Sequence, residues 1–311
     1  MTEEQGFPKP DESQLLSALK KTGFLLEQRV AQLLQSKNLV AEPNAAFTDP
    51  ETGKTREVDV IAYFDATAGD GATFAPYIFA ELLIECKNTP NPFVLVGREE
   101  RKPGGTYTYW AEFDPLTLKF GNQYRWTNYQ LKFSSLPGSA ADAGFIGSQL
   151  LRLDRQSGNW RASNDGVYDS IVYPLAKAQV WRYGEDMVET GRAEELGNPC
   201  FNFLYPVLVT TGPVFTVTVD KAETRVREVD WAPLARDFRQ EGLDGTAFLE
   251  VVRFDKLEEY LDQRFFGYLN EIKRTLIENA RLFDPDWLVK NLGEPGKQEL
   301  FDAWLANRAK G

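Results

Sequence analysis

The sequence predicts an α/β fold, a mixed central sheet flanked by helices, with an insertion and a group of C-terminal helices. Three observations predict it. Residues 11–37 repeat apolar positions at helical spacing, the two runs "NAAFTDPETGKTREVDVIAYFDA" and "YIFAELLIECKN" that follow have strand character, and a second helical stretch, "GVYDSIVYPLAKAQVWRYGEDM", precedes several further strands.

Taken in order, residues 11–37 place Leu15, Leu16 and Leu19, then Leu25, Leu26, Val30, Leu33 and Leu34, on helical faces interrupted near Gly23. Asp49-Pro50 through Gly53 is a turn signal between two strand-like runs, and the long apolar run ending in "LLIECKN" is a third strand. Residues from about 89 to 165, rich in Gly, Pro, Asn and aromatics, read as an irregular insertion projecting from the core. Pro174 falls near the start of the next helix or at a kink in it. "FNFLYPVLVTTGPVFTVTVD" reads as a strand pair joined by Thr-Gly-Pro, and "TRVREVDWAPL" and "TAFLEVVRF" as two further strands. The division expected is a core over 11–254 carrying the insertion, and a C-terminal extension of two or three amphipathic helices over 255–311, a surface suited to a homodimer.

At 311 residues the chain can bury a substantial core. Neither a membrane-crossing apolar run nor a secretory leader is visible in the polar start "MTEEQGFPKPDESQ", so the expected location is cytoplasmic, away from the membrane. Cys86 and Cys200 are too few for a disulfide framework or a cysteine-rich zinc site. The absence of histidine excludes Ser-His-Asp and Cys-His catalysis and His-ligated zinc. Carboxylate and lysine chemistry remains, with hard divalent cations as natural helpers. A net charge of −11 argues against coating nucleic acid through the overall field, yet residues 98–182 hold 11 Lys/Arg against 8 Asp/Glu together with Trp110, Trp126, Trp160 and Trp181. Interleaved cations and aromatics suit single-stranded or distorted nucleic acid, and equally suit the packing of an irregular insertion.

On a strand, Glu85 and Lys87 share one face and Ile84 and Cys86 the other. Upstream, Val58, Val60 and Ala62 alternate with Asp59, Ile61 and Tyr63, which leaves Asp59 as an acid inside a strand with no structural use for one. Two carboxylates and a lysine converging at a strand end can hold Mg²⁺ or Mn²⁺ through Asp59 and Glu85, with Lys87 orienting a water. Glu27 could add a carboxylate through a water or a second ion. Cys86 reads as a core residue whose backbone carbonyl offers another oxygen ligand. Each has a plainer reading: Glu85 and Lys87 as an ion pair on an edge strand, Asp59 as a strand-end residue, Glu27 as a solvated helix residue.

At these positions the sequence resembles the PD-(D/E)xK nuclease superfamily, the restriction-endonuclease-like fold, over about residues 13–88 and 165–255. The motif stands as Asp59 in "EVDVIA" and Glu85-Cys86-Lys87 in "LIECKN", preceded by Glu27 in "GFLLEQRVAQLL"; Val58 stands where the family's name has proline. The resemblance implies that Lys177 or Gln179 in "PLAKAQVW" faces the site. It further implies a metal-dependent endonuclease acting on nucleic acid, DNA rather than RNA. The alternative is a catalytically inactive nucleic-acid-binding or interaction module of the same fold.

Overall fold

The computed structural model describes residues 9–68, 76–99, 117–120, 123–126, 136–137, 144–184, 200–219, 223–240, 243–278 and 280. The first helix, α1 (Glu12–Leu19), starts at a capping box in which Asp11 and Gln14 satisfy each other's backbone N–H groups, and it buries no residue. The next, α2 (Phe24–Ser36), buries Leu26, Val30, Ala31 and Leu34 along one stripe. Three antiparallel strands follow: β1 (Val40–Thr48), β2 (Thr55–Thr67) and β3 (Tyr77–Lys87). In the β1–β2 turn Gly53 takes φ 65° and the Asp49 carboxylate accepts the N–H groups of Glu51 and Thr52 at 2.9 and 3.1 Å.

Three strands of the expected insertion belong to the main sheet, two of them on its path and one as a branch. The two on the path are β4 (Phe93–Glu99) and β7 (Phe145–Gln156), paired antiparallel; β5 (Thr117–Phe120) and β6 (Gln123–Trp126) form a separate ribbon, and β8 (Asn159–Ser163) is the branch, pairing only with β7. The reading of 89–165 as an irregular projection is corrected to that extent: apolar Phe93, Leu95, Ile146 and Leu150 are buried in the core. Trp110 and the side chain of Trp126 lie outside the described residues.

A π-helical turn at Tyr168–Val172 runs directly into α3 (Tyr173–Gly184), and Pro174, which has no N–H to donate, follows the point where the Tyr173 N–H reaches back to the Tyr168 carbonyl. Strand β9 (Cys200–Thr210) lies parallel to β3 along its whole length, and α3 is part of the crossover that this pairing requires. The remaining strands are β10 (Val214–Val219), β11 (Thr224–Val229), β12 (Trp231–Gln240) and β13 (Leu243–Arg253). The chain then enters α4 (Leu257–Tyr260), a π-helical segment at Leu261–Phe266, and α5 (Gly267–Glu278); residues 281–311 lie outside the described ones.

The sheet runs β1-β2-β3-β9-β13-β12-β7-β4-β10-β11. Strands β9 and β10 are therefore not a hairpin, contrary to the expectation for "YPVLVTTGPVFTV". They stand fourth and ninth in that order, yet only residues 211–213 connect them. Five strand spacings across a flat sheet amount to ~24 Å, whereas three linking residues span at most ~14 Å, so the sheet rolls back on itself.

Two cores result. One holds α2, α4, the π-helical segment and α5 against Val60, Ala62, Leu82, Ile84 and Cys86. The other holds α3 against Ile61, Leu83, Leu208 and the far strands, with Trp181 packed on Phe47 at 5.6 Å between centroids. The C-terminal helices are thus core elements, with Tyr260, Leu261, Phe265, Tyr268 and Ile272 each no more than 1% exposed, and this part of the expected extension spends its apolar face inside the chain. Among the described residues no helix is long and apolar enough to cross a membrane.

Candidate functional site

Strand β3 is buried on both faces, paired with β2 on one side and β9 on the other. Glu85 and Lys87 are therefore not an edge-strand ion pair. The β2–β3 ladder closes at Val60 opposite Ile84, and the next step sets Asp59 opposite Glu85. There the backbone pairing gives way to a side chain: the Cys86 N–H donates to Asp59 Oδ2 at 2.7 Å. Lys87 Nζ donates to Glu85 Oε1 at 2.5 Å.

Beside Asp59 the alternation of β2 breaks. Val58 and Ile61 enter the α3 core, while Val60 and Ala62 enter the α2 core, so the expected common face for Val58, Val60 and Ala62 is corrected. On the neighbouring strand Asn44 adopts φ 56°, and the ladder passes from Pro43–Val60 to Ala45–Val58 in unchanged register without a pair between.

The end of β3 is tied down from two sides. Asn88 Nδ2 donates to the carbonyls of Lys20 and Thr22 at 2.8 and 2.9 Å, drawing the α1–α2 link to the strand end. Thr211 N–H donates to the Lys87 carbonyl at 3.2 Å, and a side chain on Gly212 would lie 2.4 Å from the Asn91 carbonyl oxygen. Glu27 is 7% exposed near the start of α2, where a side chain on Gly23 would meet its Oε1 at 2.9 Å.

These placements give one electrostatic cluster. Burial, then the neighbouring Asp59 charge, pushes the Glu85 carboxyl up to about 7, against the pull of Lys87. Burial also raises Asp59, partly offset by the Cys86 N–H and by Lys87. Glu27 is raised by burial and then by Asp59. Exposed Glu57 raises both Asp59 and Glu27; the sequence reading missed it, although it stands two residues before Asp59 in "REVDV". Three carboxylates that resist ionisation beside one lysine are a place where added positive charge is stabilised.

Not every expected residue joins them. Lys177 is 7% exposed and pairs with Asp49 at 3.0 Å and with Glu51, and Asp49 also holds Arg56. Gln179 donates to the Phe248 carbonyl at 3.0 Å, fastening α3 to β13. The expectation that either faces the cluster is corrected: both are committed to bonds that build the α3 side of the molecule. Arg182 instead bonds Glu81, which is fully buried on the same face of β3 as Glu85. Cys86 is 4% exposed with its side chain in the α2 core, and burial raises its thiol well above the ordinary value, as suits a packing residue.

Among the described residues no group of three or more His, Cys, Asp or Glu side chains is placed to hold a metal ion. A magnesium site asks for less, since one or two carboxylates suffice when water and phosphate complete the shell. Asp59 and Glu85 fit that smaller requirement, each with one oxygen that accepts no hydrogen bond among the described residues. Glu27 belongs to the surrounding charge rather than to a preformed ligand set.

Fold and site together define an α/β protein with a mixed sheet whose buried central strand ends in an acidic cluster answered by one lysine. Compared with known proteins, the chain matches no family model, no curated protein and no solved structure.

Proposed function

We propose that the protein is a metal-dependent nuclease that hydrolyses phosphodiester bonds, in DNA rather than RNA, on a restriction-endonuclease-like fold. The order α2, β1, β2, β3, then α3 and β9, supports the fold reading. One observation carries the function: just past the last β2–β3 pair Asp59 accepts the Cys86 N–H at the end of a buried strand, its charge acting on Glu85, with Lys87 on Glu85 and Glu27 within electrostatic reach.

Asp59 and Glu85, with the Cys86 carbonyl, would hold Mg²⁺ or Mn²⁺, which when bound supplies Lewis acidity and a lower pKa for bound water. Lys87 donates one N–H to Glu85 and keeps two further donors, at 29% side-chain exposure, for a water or a phosphate oxygen. Glu27, held less acidic than usual by burial, is poised to accept a hydrogen bond from that water or to take its proton. The Asp59–Cys86 bond fixes the Asp59 carboxylate against β3, so its position does not depend on the substrate.

The test is incubation of the protein with linear, circular and single-stranded DNA and with RNA, with and without Mg²⁺ or Mn²⁺. Glu85→Ala and Lys87→Ala should each lose cleavage by about 10²-fold or more while keeping a native circular-dichroism spectrum. Cleavage at the parental rate by either variant removes the roles assigned above. A second reading, a nucleic-acid-binding module without catalysis, is favoured by the lack of a three-carboxylate ligand group among the described residues. Calorimetric titration with Mn²⁺ separates the two, since the nuclease reading requires binding that the Asp59→Asn variant loses.

A further inference from the structure

We infer that the β7–β8 hairpin is a nucleic-acid-binding arm, in which the Arg155–Trp160 pair stacks on an unpaired base of the strand that the Asp59–Glu85–Lys87 cluster cuts. The inference rests on the nuclease reading for its geometry and names the form of substrate.

The hairpin is built by its turn. Ser157 and Gly158 take φ values of 50° and 86° between Gln156 and Asn159, a two-residue connection with both residues in the left-handed region, which matches the twist of the flanking strands. Nothing in the core requires it. Strand β8 pairs with β7 alone, and every residue from Arg155 to Ala162 is exposed, Trp160 by 55%. An indole left this open in a two-stranded ribbon forgoes most of the burial that usually keeps tryptophan in place.

Its chemistry is narrow. Residues 152–161, "RLDRQSGNWR", carry three arginines against one aspartate in a chain of net charge −11. Asp154 is taken by Arg152 at 2.9 Å and by Asn91 at 2.7 Å, and no ion pair engages Arg155 or Arg161 among the described residues. Arg155 and Trp160 are directly paired in the ladder, with the guanidinium carbon 5.6 Å from the ring centroid, so the indole carries a cation and is still 55% exposed. Apart from Trp160 and Ala162, the exposed stretch has no apolar residue, too little for an apolar protein contact or for membrane insertion. A flat ring with the Arg155 guanidinium over it, and Arg161 on the other face of the ribbon hydrogen-bonded to Gln156 at 3.4 Å, fits a nucleobase with its phosphates.

The arm also stands at the right end of the sheet. Leu153 N–H donates to the Pro92 carbonyl at 2.9 Å, and Asn91 bonds Asp154, in the loop that directly follows Lys87. Asn91 is four residues beyond Lys87 and so at most ~14 Å away, and the hairpin adds ~10 Å more. At ~3.4 Å per nucleotide the arm meets the strand within about seven nucleotides of the cleaved bond.

The experiment is fluorescence anisotropy of a labelled single-stranded DNA 20-mer and of the same sequence as blunt duplex, with the full chain in EDTA to prevent cleavage. Trp160→Ala should weaken binding of the single strand about tenfold or more, with a smaller effect on duplex, and Trp160→Phe should restore most of it. Arg155→Ala should lower the slope of log affinity against log salt by about 0.7 on the single strand. Unchanged affinity in Trp160→Ala, equal losses on both DNA forms, or no single-strand binding by the parent overturns the arm. Cleavage that survives with an unaffected Trp160→Ala removes the arm and leaves the nuclease, whereas Trp160-dependent binding without cleavage keeps the arm and removes the nuclease.

Discussion

Glu85 is the residue whose environment has the plainest consequence in solution. Its carboxyl is raised from 4.5 to about 7, first by burial and then by Asp59, so the folded chain holds a proton there that the unfolded chain has released. The stabilisation is full below about pH 4.5 and is lost as pH rises through about 7, a change on the order of 3 kcal/mol. Thermal melts in EDTA should show Tm falling between pH 5 and 8, and Glu85→Gln should flatten that fall and melt higher than the parent at pH 8. An equal fall in the variant would remove the assignment to Glu85. Lys177 makes the opposite case, a buried cation whose work is structural. Asp49 is 1% exposed; burial opposes its charge, yet Lys177, Arg56 and two backbone N–H groups hold its carboxyl well below the usual range. Lys177→Met should cost about 3 kcal/mol in urea unfolding, because a buried carboxylate loses a partner, while the folded fraction keeps any cleavage activity. A selective loss of cleavage at unchanged stability would return Lys177 to the site.

Among the elements, β3 does most to define the site, because pairing on both sides and burial on both faces leave its polar end no freedom to drift. The link from β9 to β10 locks that end. Gly212 is absent from the positive-φ residues, so it is needed for space rather than for a left-handed turn: an added Cβ would stand 2.4 Å from the Asn91 oxygen and 2.8 Å from that of Thr89. Gly212→Ala should destabilise by about 2 kcal/mol and lower cleavage beyond what the lost folded fraction explains, since the loop next to Lys87 must move. Urea unfolding paired with a cleavage assay checks it, and a variant as stable as the parent would mean the loop yields freely. The same lack of a left-handed glycine explains why Thr-Gly-Pro does not close a hairpin here.

At the scale of the whole molecule, the C-terminal helices decide whether the sheet has a covered face. Leu257, Tyr260, Leu261, Phe265, Tyr268, Leu269, Ile272 and Leu276 are all buried in the core that also contains Ile84 and Cys86. A chain ending at Phe254 would uncover Phe64, Phe203, Tyr205 and Trp231, whose rings pack on Phe265, Tyr268 and Tyr260, at ~25 cal/mol per Å² of apolar surface. It should therefore show no cooperative thermal transition and should aggregate, rather than persist as a folded monomer that has lost a dimer contact. Calorimetry and gel filtration of that truncated chain would show which, and a sharp transition would make the helices an appendage after all.

The opening order of helix and three strands, the turn at Asp49 to Gly53, and the meeting of Asp59 with Glu85 and Lys87 were legible in the residues. All depend on periods of 3.6 and 2 and on turn chemistry, which act over a few residues. Burial of Glu27 beside them accompanies long-range bonds from Asn88 to the α1–α2 link, which no local period signals. What only the tertiary structure decided is what lies far apart in sequence. Lys177 finds Asp49 across 128 residues and Arg182 finds Glu81 across 101, and β4 and β7 join a sheet that rolls far enough for three residues to link the end of β9 to the start of β10. Local sequence sets which face of an element is apolar, but several partners can satisfy the same face. The choice among them is made by burying all the faces at once, and no single stretch of residues carries that information.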